Sequence, residues 1–370
     1  MAVVSHDADA DADAVAVAAA LVRGHLVSLS IRAAVELDVF EALQNGPGSS
    51  GSQEYGYVPL EALAARVGLE PGPLGRLLSV LNDVGLVATA DSLGGRRRSQ
   101  GPDWQRQECR LTRAGATFVD GHPSRFRDLV LMRTERPVLD SWQRLADALR
   151  TDAAVFETVN GVDYWSHLAQ HPEQEAQFNR AMARRGIEQA DALVTAGALA
   201  GTRSLVDVGG GEGAMVAELV RRHPDLSGLV ADRPEVTAAA NAAFSRQGLS
   251  ARASAAPADF FVAVPAGADA YTLSNVLHDW DDDDCRRILS TIRAAMNPGH
   301  RLWVVERHLD TDRPVDARQE LHLMDLHMLV MFGARERTRR DYEQLLLSCG
   351  FSDILVSTGT VWDVMGATAL

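Results

Sequence analysis

Two stretches of this 370-residue sequence hold side chains whose types and spacing could do chemistry. The first is Leu205-Val-Asp-Val-Gly-Gly-Gly-Glu-Gly213, followed by a helical pattern from Ala214 to Arg222. A strand, a glycine turn at Gly209 and Gly211, and a helix start let a ligand approach the backbone and meet unpaired N–H groups. The second is Leu273-Ser-Asn-Val-Leu-His-Asp-Trp280, closing a later apolar run. Ligands of open α/β sheets bind outside the carboxyl ends of the strands, so His278 is expected to face the crevice and move a proton. The plainer alternative is a structural histidine. The run Asp281–Asp284 reads as the first turn of a helix carrying Ile288, Leu289 and Ile292, where carboxylates favour the positive dipole end. No metal site is expected there, because no Asp, Asn or His set has ligand spacing.

The glycine turn also satisfies a loose dinucleotide fingerprint. Glu212, however, puts a negative charge where a pyrophosphate would sit. A ligand with a carboxylate and a cationic centre tolerates that better, which favours S-adenosylmethionine over NAD. Asp232 follows Gly213 by nineteen residues and can accept from ribose hydroxyls, cap the helix opening at Pro234, or both. Asp259 reads either as an acceptor for an adenine amino group, with Phe260 on the ring, or as an ordinary loop aspartate.

Composition removes other chemistries. All 36 basic residues are Arg, so there is no Schiff-base lysine, phosphate-loop lysine or Tyr/Lys dehydrogenase pair. A net charge of −14 argues against a nucleic-acid partner. Cys109, Cys285 and Cys349 form neither a disulfide framework nor a zinc pattern, as expected of a cytoplasmic protein. The apolar run Ala14–Val22 is too short to span a bilayer and follows acidic residues, so neither membrane segment nor signal peptide is expected.

The elements that must position these residues follow from periodicity. Residues 1–14 read as a disordered tail, and Val15 to Leu43 as helical, ending at a Gly/Ser loop to Ser52. Helices opening at Pro59 and Pro71, then strands Leu86–Thr89 and Cys109–Thr112 around a loop with Arg96-Arg97-Arg98, outline a winged helix over 15–120. Residues 121–200 read as helical, anchored by Trp142, Phe156, Tyr164-Trp165 and Phe178. From 201 to 370, the runs Leu205–Val208, Leu226–Ala231, Ala270–Leu273 and Leu302–Val305 alternate with helices, predicting an α/β fold with a parallel sheet. Ile354–Ser357 and Val361–Thr368 read as closing strands.

The ordered set DVGGGEG (207–213), Asp232, ADFF (258–261), NVLHDWDDDDC (275–285), Glu306 and GARERT (333–338) resembles the plant caffeate- and flavonoid-type S-adenosylmethionine-dependent O-methyltransferases and their bacterial natural-product relatives. The resemblance covers roughly residues 20–365. It implies a C-terminal Rossmann-like seven-stranded domain, a winged-helix dimerisation domain, a homodimer, and methyl transfer to a hydroxyl of a small aromatic molecule without a metal. It also implies His278 as catalytic base flanked by Glu306 and Glu336. Cofactor contacts would come from Gly209, Gly211, Asp232, Arg233, Asp259, Phe260 and Ser274. Phe178, Met182, Asp279, Met328 and Phe332 would line the acceptor pocket. The sequence departs from the plant pattern at Ser274 (Lys there), at Arg233 (Leu there) and around Met331-Phe332. Diverged chemistry such as hydroxylation or N-methylation is a second reading, and a ligand-sensing regulator a third; the intact His278-Asp279-Trp280 speaks against the hydroxylation.

Overall fold

The computed structural model describes residues 5–46, 55–90 and 108–370, which divide into two compact units at Glu135/Arg136. The arginine triplet 96–98 and most of the Gly/Ser loop lie outside the described residues.

The first unit opens with α1 (Ser5–Glu36) and α2 (Val39–Gln44), separated by Asp38 in the left-handed region. Helix α1 thus runs through the acidic repeat read as a disordered tail, where alternate residues are alanine, the strongest helix former. Its stretch Asp13–Glu36 is long and apolar enough to cross a bilayer, so the short run read from the sequence is part of a longer one. Val15, Leu21, Val22 and Leu26 along it are exposed. Strand β1 (Val58–Pro59) precedes α3 (Leu60–Val67) and α4 (Pro71–Asp83), then β2 (Val87–Thr89), β3 (Glu108–Leu111), α5 (Arg113–Ala116) and α6 (Phe126–Arg133). The strands form an antiparallel sheet in the order β1-β3-β2. Apolar faces of α2 to α4, with Phe40, Leu63, Leu74 and Leu78 fully buried, pack with Val87 and Leu111 as one core.

The second unit begins with α7 (Arg136–Trp142), α8 (Leu145–Thr151), α9 (Phe156–Asn160), α10 (Tyr164–Gln170) and the long α11 (Pro172–Thr195). Then come β4 (Ser204–Val208), α12 (Ala214–Arg222), β5 (Ser227–Asp232), α13 (Pro234–Arg246), β6 (Ala253–Pro257) and β7 (Ala270–Ser274). The chain ends with α14 (Asp282–Ala295), β8 (Arg301–Glu306), α15 (Val315–Phe332), α16 (Arg339–Ser348), β9 (Phe351–Ser357) and β10 (Asp363–Ala369). The sheet order is β6-β5-β4-β7-β8-β10-β9, with β10 antiparallel to both neighbours and the other pairs parallel. The inner strands are buried on both faces and read as continuous apolar runs. The edge strand β6, Ala-Ser-Ala-Ala-Pro, has no such run, and the sequence reading did not name it as a strand.

Helix α11 passes α12 at Gly186, where an added Cβ would meet the Met215 backbone nitrogen at 2.7 Å. Asp281 caps α14 by accepting from the Asp284 N–H at 2.8 Å, which accounts for the acidic run.

Candidate active site

Every strand from β4 to β8 delivers a candidate residue at or just past its carboxyl end: Gly209, Asp232, Asp259, Ser274 with His278, and Glu306. This is the end at which parallel sheets bind ligands.

On the cofactor side, Gly209 and Gly211 both adopt positive φ (71° and 58°), which glycine reaches without strain. A Cβ at Gly209 would press on Val276 at 2.8 Å, whereas at Gly211 it would meet nothing within 4 Å. The turn is therefore backed by protein on one side and open on the other. The Gly211 N–H donates to Asp232 Oδ2 at 2.8 Å and the Arg233 N–H to Asp232 Oδ1 at 2.7 Å. Burial pushes the Asp232 carboxyl above its usual range, and the two backbone donors oppose that. Each oxygen keeps lone pairs for further donors such as ribose hydroxyls. No side chain caps α12, so its first N–H groups suit a carboxylate. Beneath the turn, buried Asp207 accepts from Thr272 Oγ1 at 2.7 Å, and burial pushes it up to about 7. An open backbone turn, a strand-end carboxylate and an uncapped helix start fit S-adenosylmethionine.

Four ionisable side chains, His278, Asp279, Glu306 and Glu336, converge across the crevice. His278 Nδ1 lies 3.0 Å from Glu336 Oε1, with both residues buried. His278 Nε2 lies 3.3 Å from Asp279 Oδ1. Burial alone would lower the imidazole pKa, but the negative charges of Glu336, Asp279 and Glu306 outweigh it and hold the group at about 9. Glu306 is pushed up to about 7 and Asp279 to about 6, mainly by burial, while His278 draws Glu336 below its ordinary value against the same burial effect. The resemblance implies that both glutamates flank the histidine. Glu336 bonds to the ring; Glu306 Oε1 instead accepts the Val276 and Leu277 N–H groups at 3.0 and 2.9 Å, holding the loop's backbone. Ligand atoms of His278, Glu306 and Glu336 lie within 4.8 Å of one another, close enough to hold a metal ion by distance alone. Arg307 Nη2 already stands 3.5 Å from Glu336 Oε1, and the hydrogen bonds above engage Oε1 of both glutamates, while Oε2 of each is buried with no hydrogen-bond partner among the described residues.

Arg337 carries a role that the sequence reading did not assign. Its fully buried guanidinium donates to the Leu277 carbonyl (2.7 Å), the Trp280 carbonyl (2.8 Å) and Asp282 Oδ1 (2.8 Å). It thus grips the His278 loop on both sides, with α16 starting immediately after it in a Thr338–Asp341 capping box. Asn275, at φ 58°, bends the same loop and accepts from Arg185 on α11 at 3.2 Å. The only sequence signal for Arg337 was its place inside GARERT.

The expected acceptor residues gather in part. Phe178 and Phe332 both contact Trp165, edge-on at 5.7 Å and stacked at 5.4 Å, and both contact Tyr164. Tyr164 and Trp165, read as apolar anchors, do anchor this cluster: Tyr164 is buried in a core with Phe156 and Leu168, and Trp165 packs against it. The Trp165 indole N–H is buried and has no hydrogen-bond partner among the described residues. Met328 packs with Met324, Ala334 and Phe332, and Met182 is half-buried on α11. Asp259 is exposed and accepts from the Phe261 N–H at 2.9 Å, while Phe260 packs edge-on against Trp280. Ser274 Oγ donates to Met215 Sδ, and the Arg233 guanidinium turns to Glu175.

The family model of the O-methyltransferase domain matches residues 142–352, and that of the O-methyltransferase dimerisation domain matches residues 19–120. The mitomycin biosynthesis 6-O-methyltransferase of Streptomyces lavendulae is 32% identical over 330 residues, covering 89% of this chain and 87% of its own. Among solved structures, the mitomycin 7-O-methyltransferase superposes with a TM-score of 0.82 at 29% identity, covering 98% of this chain and 100% of the other. An O-methyltransferase from neocarzinostatin biosynthesis, in complex with S-adenosylhomocysteine and 1,4-dihydroxy-2-naphthoic acid, superposes with a TM-score of 0.73 at 28% identity, covering 93% and 96%.

Proposed function

Because the chain belongs to the S-adenosylmethionine-dependent O-methyltransferases, we propose that it methylates a phenolic hydroxyl of a small aromatic molecule in bacterial secondary metabolism, with His278 as general base. The observation that carries the base assignment is the Glu336–His278 pair at 3.0 Å. It supports an imidazole whose Nδ1 keeps a proton and whose Nε2 receives one. When bound, S-adenosylmethionine supplies an activated sulfonium methyl, so no metal is called for. Asp232 and the Gly209–Gly211 turn would hold its ribose and backbone-facing groups.

The chain's own work is then to align the acceptor oxygen and take its proton. Alignment can contribute roughly 7–11 kcal/mol. Transfer from a phenol of pKa about 10 to an ordinary imidazole is uphill by roughly 5 kcal/mol. With His278 held at about 9, the gap shrinks to about 1.4 kcal/mol. The consequence is that most of the free protein carries an imidazolium at neutral pH.

The wall of Tyr164, Trp165, Phe178 and Phe332 supports a planar aromatic acceptor, and the orphaned Trp165 N–H supports one with a polar substituent. The exposed apolar residues of α1, within a matched dimerisation domain, support a homodimer built through the winged-helix-like first unit. Incubation with isotope-labelled methyl donor and a panel of hydroxylated naphthoates, phenols and aminophenols, read by mass spectrometry, tests the assignment. Labelled methyl on nitrogen or carbon, with none on oxygen, overturns it.

A further inference from the structure

Arg233 connects the cofactor end of the sheet to the aromatic wall. Its N–H holds Asp232 Oδ1 at 2.7 Å, and its carbonyl accepts from the Val236 and Thr237 N–H groups at 3.1 and 3.0 Å. Pro234, with its fixed φ, follows at the start of α13. The backbone of Arg233 is therefore rigidly tied to the carboxylate that would meet the ribose. Its side chain leaves in another direction. The guanidinium donates to Glu175 Oε1, in the first turns of α11, at 2.7 Å. It also lies 5.7 Å from the centre of the Trp165 ring. Trp165 in turn touches Phe178 and Phe332.

We propose that the Arg233–Glu175 pair is a positioning link that couples cofactor binding at Asp232 to the shape of the acceptor wall formed by Trp165, Phe178 and Phe332. The inference rests on the reading of that wall as the acceptor site. The Arg233 side chain is 32% exposed and that of Glu175 is 11% exposed, so removing one partner leaves a charge in a partly desolvated place, and the charge-exchanged pair is needed to separate coupling from stability. The geometry of the native pair suits orientation, because a guanidinium can hold a carboxylate and an aromatic face together. Cofactor engaging Asp232 fixes the Asp232–Arg233 peptide, and the stiff start of α13 passes that restraint to the guanidinium. The corner of α10 and α11 is then held in one arrangement rather than several. Two sites joined through such an element have a coupling free energy between them.

Hydrogen exchange with S-adenosylhomocysteine as the probe tests the link without any acceptor. In the wild-type protein at saturation, exchange should slow around residues 209–213 and also, by about fivefold or more, across residues 164–178. Glu175→Gln should keep the first protection and lose the second. Exchanging the charges, Arg233→Glu with Glu175→Arg, should restore it in part; a purely structural defect would not be rescued. Full protection of 164–178 in Glu175→Gln, or none in the wild type, overturns the proposal. If the coupling is present but no phenol is methylated, the link stands and only the acceptor assignment falls.

Discussion

Glu336 Oε1 and His278 Nδ1 stand 3.0 Å apart, while Arg337, the next residue, bonds to the carbonyls on either side of His278, at Leu277 and Trp280. One dipeptide therefore orients the ring and fixes the loop that carries it. A shift of the loop before α16 would disturb both at once.

Replacing the base should separate chemistry from binding. His278→Ala is expected to lower kcat by about 10²–10⁴, the usual worth of positioned acid–base catalysis, with cofactor affinity unchanged by calorimetry. Near wild-type turnover at neutral pH would mean that alignment alone carries the reaction.

Glu336→Gln removes the first of the carboxylates that raise the His278 pKa. In the wild type, kcat/KM should climb with pH towards about 9; in the variant the rising limb should move to lower pH while the plateau falls. Stability follows the same linkage. A histidine raised to about 9 contributes stability that is complete below its unfolded value near 6.5 and lost as pH rises through 9. Denaturant unfolding of the variant should therefore show a smaller decline between pH 7 and 9.

Asp232→Ala removes the strand-end carboxylate and leaves the Gly211 N–H without its acceptor. S-adenosylhomocysteine should bind about 1.5–3 kcal/mol more weakly, the range for a hydrogen bond to a charged group. Unchanged affinity in titration calorimetry would take Asp232 out of the cofactor site.

Arg337→Lys keeps the charge but loses the fork that reaches two carbonyls and Asp282. The expected result is a lower Tm and a lower kcat with cofactor affinity retained, because the His278 loop loosens while the glycine turn does not. Stopped-flow binding and steady-state rates on the same preparation would check the split.

The apolar face of α1 should be covered in solution. Light scattering on the wild type should give twice the 39.9 kDa chain mass. Val22→Asp with Leu26→Asp, both on exposed positions, should shift it towards one chain mass.

How far the sequence could be read depended on the kind of signal. The inner strands and α12 announced themselves because burial on both faces demands unbroken apolar runs, and a glycine turn needs glycine. Strand β6 was silent, since an edge strand of Ala, Ser and Pro is held by its neighbour β5 rather than by its own side chains. His278 was legible from its place past a strand end, Glu336 only through a family pattern, and that pattern did not reveal that Glu306 would grip backbone amides instead of the ring. Arg337, Trp165 and Glu175 escaped for a related reason. Their partners lie far away in sequence and are brought close by the sheet order and by the packing of α10, α11 and α15.

Gly186 sets a limit on how this enzyme can be altered. With no side chain between them, the middle of α11 and the first turn of α12 are in backbone contact, so even one added carbon has nowhere to go. Phe178 and Met182 ride two turns and one turn upstream on the same rod, and the glycine turn ends where the other rod begins. A wedge at this crossing would tilt both rods together. Engineering for a larger acceptor cannot take its room from here without loosening the cofactor; the space has to come from the α10 side of the wall.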